Sequence, residues 1–283
     1  MVLHNTTIPP QQIFLRSNEY TILKNGNMKS NIFFELKNYI KIPNNVDAYL
    51  QLNSFKFINA FYNVSTSNNI FYYSLSGSIG TVLSITITPG NYNITTFLNY
   101  LNDALGGSIV ITYDSTSLKL RLQSSSDFIL RTGTNNCLKL MGFNNEDTVL
   151  TNDLYSTNLI NLSGVQVLYL CIDNISLTSN TSTGSTTNNI LESVNVDVLI
   201  GSSQSYYNGT NTKYRINPND LSAIEVKIYD DNGNLVDFNN TDWYMSVSLI
   251  FAYKMEFKPT TYLDLNTPSE VPTEEVQANE NIN

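Results

Sequence analysis

The chain has few charged residues, one histidine and two cysteines. Charged residues make up 14% of its 283 residues, whereas soluble domains typically contain about 25%. The histidine is His4, and the cysteines are Cys137 and Cys171. Two cysteines are too few for a disulfide framework, so we expect buried free thiols and a reducing compartment.

This scarcity argues against most enzyme chemistry. Ser-His and Cys-His catalytic arrangements would both need His4, which lies in a segment without sustained periodicity. Ordinary zinc sites need more Cys or His at close spacing, and no glycine-rich phosphate-binding motif occurs in the chain. We therefore predict no catalytic residue, no cofactor-binding residue and no metal ligand.

Two groups of acidic residues need separate consideration. Residues 230–234 have a calcium-loop composition, but the sixth position, which must be Gly in such a loop, is Leu235. An Asn-Gly pair between alternating apolar runs favours a structural hairpin turn. The predicted turn residues are Asp231, Asn232, Gly233 and Asn234. A glycosidase site would require the fold to pair two of the carboxylates Glu225, Asp237 and Asp242.

Strand-forming sequence is abundant in this chain. It contains 18 Tyr and 13 Phe, and apolar residues alternate with polar ones in long runs such as residues 48–64 and 243–253. Residues 93–105 instead have apolar residues at three-and-four spacing, and Gly106-Gly107 follows them, so they predict a helix. Asn, Ile and Tyr are frequent throughout, which we interpret as codon bias.

The order of these runs predicts a mainly β fold, namely an antiparallel sandwich interrupted by a small α+β insertion, with extended termini. The expected parts are an N-terminal arm (1–30), a discontinuous sandwich domain (31–79 and 148–256), an α+β insertion domain (80–147) and an acidic, flexible C-terminal tail (257–283). Residues 178–189 are polar and predict a surface loop.

The net charge is −9, so we expect no specific binding to nucleic acid. The N-terminus has no signal-peptide pattern, and no apolar run is long enough to span a membrane. Charge is unevenly distributed between the two ends. The predicted arm carries Arg16, Lys24 and Lys29 against Glu19 alone, whereas the predicted tail is acidic.

Three segments carry a resemblance to a known family. They are FFELKNYIKIPNNVDAYLQLNSFKFINAFYNV from residue 33, the inserted run from ITPGNYNITTFLNYLNDAL to LKLMGF, and AIEVKIYDDNGNLVDFNNTDWYMSVSLIFAY from residue 223. In their order and spacing they resemble the penton (vertex) protein of virophages, polinton-like viruses and related large DNA viruses. That family is a single jelly-roll capsid protein, and the resemblance covers residues 31–255.

The resemblance implies a structural, non-enzymatic role in an icosahedral virion. Its expected partners are copies of itself in a homopentamer, the major capsid protein, and minor capsid proteins or a vertex spike. Assembly would take place in the host cytoplasm or a virus factory. The basic arm, with Arg16, Lys24 and Lys29, would lie beneath neighbouring capsomers.

Two alternatives remain open from the sequence. The first is a minor capsid or cement protein, trimeric in one version, that bridges major capsomers. The second is a virion module that binds a receptor or a glycan. Tyr206 and Tyr207, which we expect on a polar loop, are the candidate contact residues for that second function.

Overall fold

A computed structural model describes residues 8–254 of the chain except for residues 79, 174, 176–188 and 217–219. The predicted tail at 257–283 and most of the predicted loop at 178–189 lie outside the described residues. In the described part, fifteen β-strands form three sheets, and there is one α-helix. None of the helices described is long and apolar enough to cross a membrane.

The first sheet joins the N-terminal segment to the last strand. Its strands are β1 (Gln11–Arg16), β4 (Val46–Ile58), β12 (Ser203–Tyr207), β13 (Tyr214–Ile216) and β15 (Tyr244–Tyr253). They lie in the order β1–β15–β4–β12, and β13 pairs with a second part of β4. All the pairings are antiparallel.

The second sheet packs against the first. Its strands are β2 (Ile22–Leu23), β3 (Asn31–Lys41), β10 (Val167–Ile172), β11 (Ile190–Asn195) and β14 (Asp220–Tyr229). Their order is β11–β10–β14–β3–β2, again with antiparallel pairings. Buried side chains from both sheets form one hydrophobic core.

The strand order of these two sheets defines the fold. Eight strand positions remain when β2 is left aside and β12 and β13 are counted as one. The first pairs with the eighth, the eighth with the third and the third with the sixth; the second pairs with the seventh, the seventh with the fourth and the fourth with the fifth. This is the jelly-roll arrangement, so the predicted antiparallel jelly-roll sandwich is confirmed.

Trp243 lies at the centre of the contact between the two sheets. It is fully buried, and its ring centroid lies 6.0 Å from that of Phe34 on the second sheet and 5.9 Å from that of Phe55 on the first. The indole N–H donates to the carbonyl of Lys29 at 2.7 Å. A buried tryptophan needs such an acceptor, so this hydrogen bond fixes the segment around residue 29 against the sandwich.

The N-terminal segment is not an arm throughout, which corrects the prediction for residues 1–30. Residues 11–16 form β1 at the edge of the first sheet, and the side chains of Ile13 and Leu15 enter the core. The backbone N–H of Ser17 then donates to the carbonyl of Trp243 at 3.0 Å. This run shows only two apolar positions in alternation, which is too short a pattern to predict a strand.

The third sheet forms the insertion. Its strands are β5 (Ile70–Leu75), β6 (Leu83–Thr86), β7 (Val110–Asp114), β8 (Lys119–Arg131) and β9 (Thr151–Tyr155). The sheet therefore extends beyond the predicted boundaries of 80 and 147 on both sides. The strand β5 was expected in the sandwich, but Phe71 and Tyr73 are buried in a separate core with the helix and β8. Apolar alternation alone does not show which of two cores a strand joins.

The predicted helix is confirmed as α1 (Ile94–Leu105). The Asn93 side chain accepts from the backbone N–H of Thr96, and the Thr96 hydroxyl accepts from the backbone N–H of Asn93. This reciprocal capping satisfies two N–H groups at the helix start. At the other end, Gly106 has a φ of 57°, the left-handed conformation that commonly terminates helices.

Asn63 joins the two chain segments that connect the sandwich to the insertion. Its side-chain amide donates to the carbonyl of Tyr92 at 2.7 Å and to that of Leu162 at 2.8 Å, and its side-chain oxygen accepts from the N–H of Tyr92 at 2.9 Å. Asn63 precedes the insertion and Leu162 follows it. This buried amide therefore clasps the outgoing and returning connections together.

We expect Asn63→Ala to destabilise the protein because three buried backbone groups would lose their partner. Leaving buried polar groups unsatisfied costs about 1–3 kcal/mol each, so a total loss of at least ~2 kcal/mol is expected in urea unfolding. The control is Asn38→Ala, at an exposed position on β3, with an expected change within ~0.5 kcal/mol. Equal unfolding midpoints for the two variants would contradict the clasp.

Candidate assembly surface

The outer face of the first sheet carries exposed aromatic residues at both edges. The pairing register places Phe14, Ser246, Ser54 and Tyr207 in one row across β1, β15, β4 and β12. Directly paired residues share a face of a sheet. Phe14 is 67% exposed and Tyr207 is 73% exposed. With Tyr244, we call the outward side chains of this row the aromatic face.

Charge on the aromatic face is confined to the neighbouring row. Tyr244, which is itself exposed, pairs with Arg16 on one side and with Lys56 on the other. The row of Phe14 and Tyr207 contains only serine between the two rings. Aromatic enrichment with depletion of charge is the composition of the centre of a protein–protein interface.

A β-bulge organises the middle of this face. Ser246 pairs with Ser54 whereas Val247 pairs with Leu52, so Asn53 is the extra residue on β4. The Asn53 amide donates to the hydroxyl of Ser248 at 2.9 Å. The polar groups at the centre of the face are therefore uncharged and bonded to one another, which leaves the rings at the edges as the main groups facing solvent.

The outer face of the second sheet has a different character. Lys227 donates to Asp173 at 2.6 Å, and Lys24 lies 2.7 Å from Glu225. The Lys24 ammonium also lies 5.5 Å from the ring centroid of Phe33. Charges on this face are paired within the chain, so the two outer faces of the sandwich are chemically distinct.

An exposed aliphatic turn lies beside the end of the first sheet that is nearest the insertion. Leu199 is 84% exposed and Ile200 is 54% exposed. The turn is rigid, because Gly201 has a φ of 81° and the buried Asn59 amide donates to the carbonyl of Val198 at 2.7 Å. A rigid turn that displays two large apolar side chains is a favourable contact point for another protein.

The three cations of the predicted arm all bind carboxylates of their own chain. Arg16 pairs with Glu19 at 2.9 Å, an exposed pair, and Lys24 pairs with Glu225. Lys29 pairs with Asp242 at 2.6 Å. These pairs hold the segment against the sandwich, and the assembly role of the three cations stays a prediction.

The predicted turn at residues 231–234 is organised by the side chain of Asp230. Its carboxylate accepts from the backbone N–H groups of Asn232 at 2.9 Å and Asn234 at 2.8 Å. Gly233 has a φ of 77°, which favours glycine. Beyond this turn only one bridge, between residues 229 and 235, links the chain back to β14. The chain then crosses to β15 in the other sheet, so the turn does not join two long paired strands.

The candidate carboxylates and thiols have structural surroundings. Glu225 and Asp242 are in the ion pairs described above, and an Asp237 carboxylate oxygen accepts from the backbone N–H of Asn239 at 2.8 Å. Burial raises the pKa of Cys137 to about 12, which disfavours its reactive thiolate. Among the described residues, no group of three or more His, Cys, Asp or Glu side chains is arranged to hold a metal ion.

A polar cleft of about 540 Å³ lies between the insertion and the turn that follows β14. Lys139 and Asn68 line one side, and Asp231 and Asp237 line the other. Burial and the neighbouring Asp230 raise the pKa of Asp231. The lining contains no histidine or cysteine, so histidine- and cysteine-dependent nucleophilic chemistry has no basis there.

The two tyrosines proposed for glycan contact lie on a strand, β12, and not on a loop. Tyr207 is on the aromatic face. Tyr206 is half-buried against the main core, and burial together with the neighbouring Glu192 raises its pKa. Only one of the two rings is therefore available to a ligand.

Comparison with known proteins gives a single type of match. No family model matches the chain, and no curated protein matches it in sequence. A similar solved structure is the crystal structure of selenomethionine-labelled mavirus penton protein, with 10% sequence identity and a TM-score of 0.42. The match covers 86% of this chain and 100% of the other. A similarity this distant does not transfer a function.

The ion pair of Asp242 predicts a pH-dependent contribution to stability. Hydrogen bonding to Lys29, the largest effect, holds the pKa of Asp242 below its usual value. The ionised form is thus favoured in the folded state, and the stabilisation exists above the unfolded pKa of about 4 and is lost as pH falls through the lower folded pKa. We expect Asp242→Asn to cost about 1 kcal/mol at pH 7, measured by urea unfolding.

This cost should shrink as the pH is lowered below about 4. The matched control is Asp127→Asn, an exposed position on β8, for which we expect little change at either pH. A loss of stability for Asp242→Asn that is equally large at pH 7 and pH 3 would show that the charge of Asp242 is not what stabilises this corner.

Proposed function

We propose that this chain is a structural capsid protein that forms the pentameric vertex of an icosahedral virus particle. It would associate with copies of itself and with the major capsid protein. The observation that carries the proposal is the aromatic face on a jelly-roll sandwich. The resemblance of residues 31–255 to penton proteins supports the same function.

The two outer faces of the sandwich suit a ring of copies. In a cyclic ring each contact is heterologous, which means that one patch meets a different patch on the next copy. The aromatic face supplies an adhesive patch without a dense charge pattern. The second sheet offers a surface whose charges are already neutralised by pairs such as Lys227–Asp173. Contact between them would bury no unpaired charge from these groups.

The chain also has a head and a base. The insertion leaves the sandwich after Ile58 and returns before Val167. At the other end of the first sheet, Tyr253 pairs with Val46, and the N–H of Lys254 donates to the carbonyl of Asn45 at 3.0 Å. We call this end, with the β3–β4 turn, the base. The polarity supports a vertex protein whose insertion faces outward and whose base faces the capsid.

We expect Phe14→Asp and Tyr207→Asp to weaken self-association at least about ten-fold in dissociation constant, because each buries a charge in the contact. Native mass spectrometry over a range of protein concentrations measures this effect. Val149→Asp is the control, since Val149 is 77% exposed on the insertion and should tolerate the change.

The mass of the assembled wild-type oligomer tests the function itself. Five copies, together with co-assembly with a major capsid protein, support the vertex assignment. Three copies would favour the cement-protein alternative instead. A wild-type chain that stays monomeric at high concentration and shows no affinity for a major capsid protein would overturn the proposal.

A further inference from the structure

Exposed lysines without a carboxylate partner gather at the base of the sandwich. Lys41 ends β3, and Lys37 lies where the β3–β14 register is interrupted beside it. Lys254 follows β15, and its ammonium donates to the carbonyl of Asn44 at 2.8 Å. Lys213 precedes β13, with its ammonium 5.0 Å from the ring centroid of Tyr49. We call Lys37, Lys41, Lys213 and Lys254 the basic rim.

The nearest described carboxylate does not neutralise the basic rim. Asp47, at the start of β4, is bound to Arg215 at 2.7 Å. Elsewhere in the described sandwich, cations such as Lys24, Lys29 and Lys227 lie within 2.7 Å of a carboxylate oxygen. The base therefore differs from the rest of the sandwich in carrying several positive charges that have no negative partner.

The sequence that follows the base carries the opposite charge. Beyond Lys254 lie six carboxylates and one lysine, Lys258. The carboxylates are Glu256, Asp264, Glu270, Glu274, Glu275 and Glu280. Residues 255–283 lie outside the described residues, but their attachment point, Lys254, is itself part of the basic rim. Ten residues separate Lys254 from Asp264, enough to span up to about 35 Å.

We propose that the acidic segment 264–280 binds the basic rim of the sandwich to which it is attached. A single exposed ion pair contributes only about 0–1 kcal/mol. Several such pairs act together here, and attachment through Lys254 raises the local concentration of the segment to about the millimolar range. Binding within one chain is thus favoured over binding to a separate copy in dilute solution.

This contact gives the base a salt-sensitive cover. The Debye length is about 10 Å at 0.1 M ionic strength and about 3 Å at 1 M, so exposed pairs weaken strongly between these concentrations. While the segment is bound, the basic rim is closed to the acidic surfaces of other proteins. The inference concerns one chain in isolation and does not depend on the pentamer.

Energy transfer between two dyes on the full-length chain tests the proposal. One dye is attached at Ala278→Cys, and the other at Asn38→Cys on the base or at Ser115→Cys on the insertion. The native Cys137 and Cys171 are buried and should not take up dye. We expect high transfer for the base pair in 20 mM salt, at least a two-fold drop in 0.5 M salt, and low transfer throughout for the insertion pair.

Charge reversal separates specific binding from general compaction of the segment. Lys41→Glu with Lys213→Glu should lower the transfer of the base pair in 20 mM salt to its high-salt value. The control, Lys119→Glu with Lys139→Glu, changes the same net charge on the insertion and should leave the transfer unchanged. Equal effects of the two double variants, or transfer only in mixtures of singly labelled chains, would overturn the proposal.

Discussion

Burial of Trp243 between the two sheets is the constraint on which the sandwich depends. Its ring contacts Phe34 on one sheet and Phe55 on the other, and its indole N–H can be satisfied only by a backbone carbonyl, that of Lys29. Asp242, its neighbour, binds both Lys29 and the hydroxyl of Ser17. One buried side chain and its flanking carboxylate thus tie the first and last strands together, closing the jelly roll.

This corner also explains which parts of the fold were predictable from the sequence. The long alternating strands and α1 follow from local periodicity, and their capping residues are adjacent to them in the chain. The strand β1 does not, because its stability comes from pairing with β15 and from Trp243, which is 226 residues from Ser17. The insertion boundaries failed similarly: Phe71 has the same local pattern in either core, and only the tertiary structure assigns it to one.

The frequent asparagines have structural roles that composition alone did not indicate. Asn63 clasps the two interdomain connections, Asn59 holds the exposed turn of Leu199, and Asn53 occupies the bulge beneath the aromatic face. An amide carries donors and an acceptor without charge, so it can satisfy backbone groups in poorly solvated places where an ion would be costly. Codon bias can supply asparagine, but these positions use its chemistry.

The candidate site was predictable only as a class of surface. Scarce charge and absent catalytic residue types indicated an assembling protein, whereas the aromatic face exists only because the register of four strands brings Phe14 and Tyr207 into one row. The same register separates the charges. Pairing on the second sheet uses up its lysines, and the lysines at the base have no such partners. Adhesion by aromatic rings on one face and by charge at the base can therefore respond separately to salt, since screening weakens ion pairs but not the burial of rings.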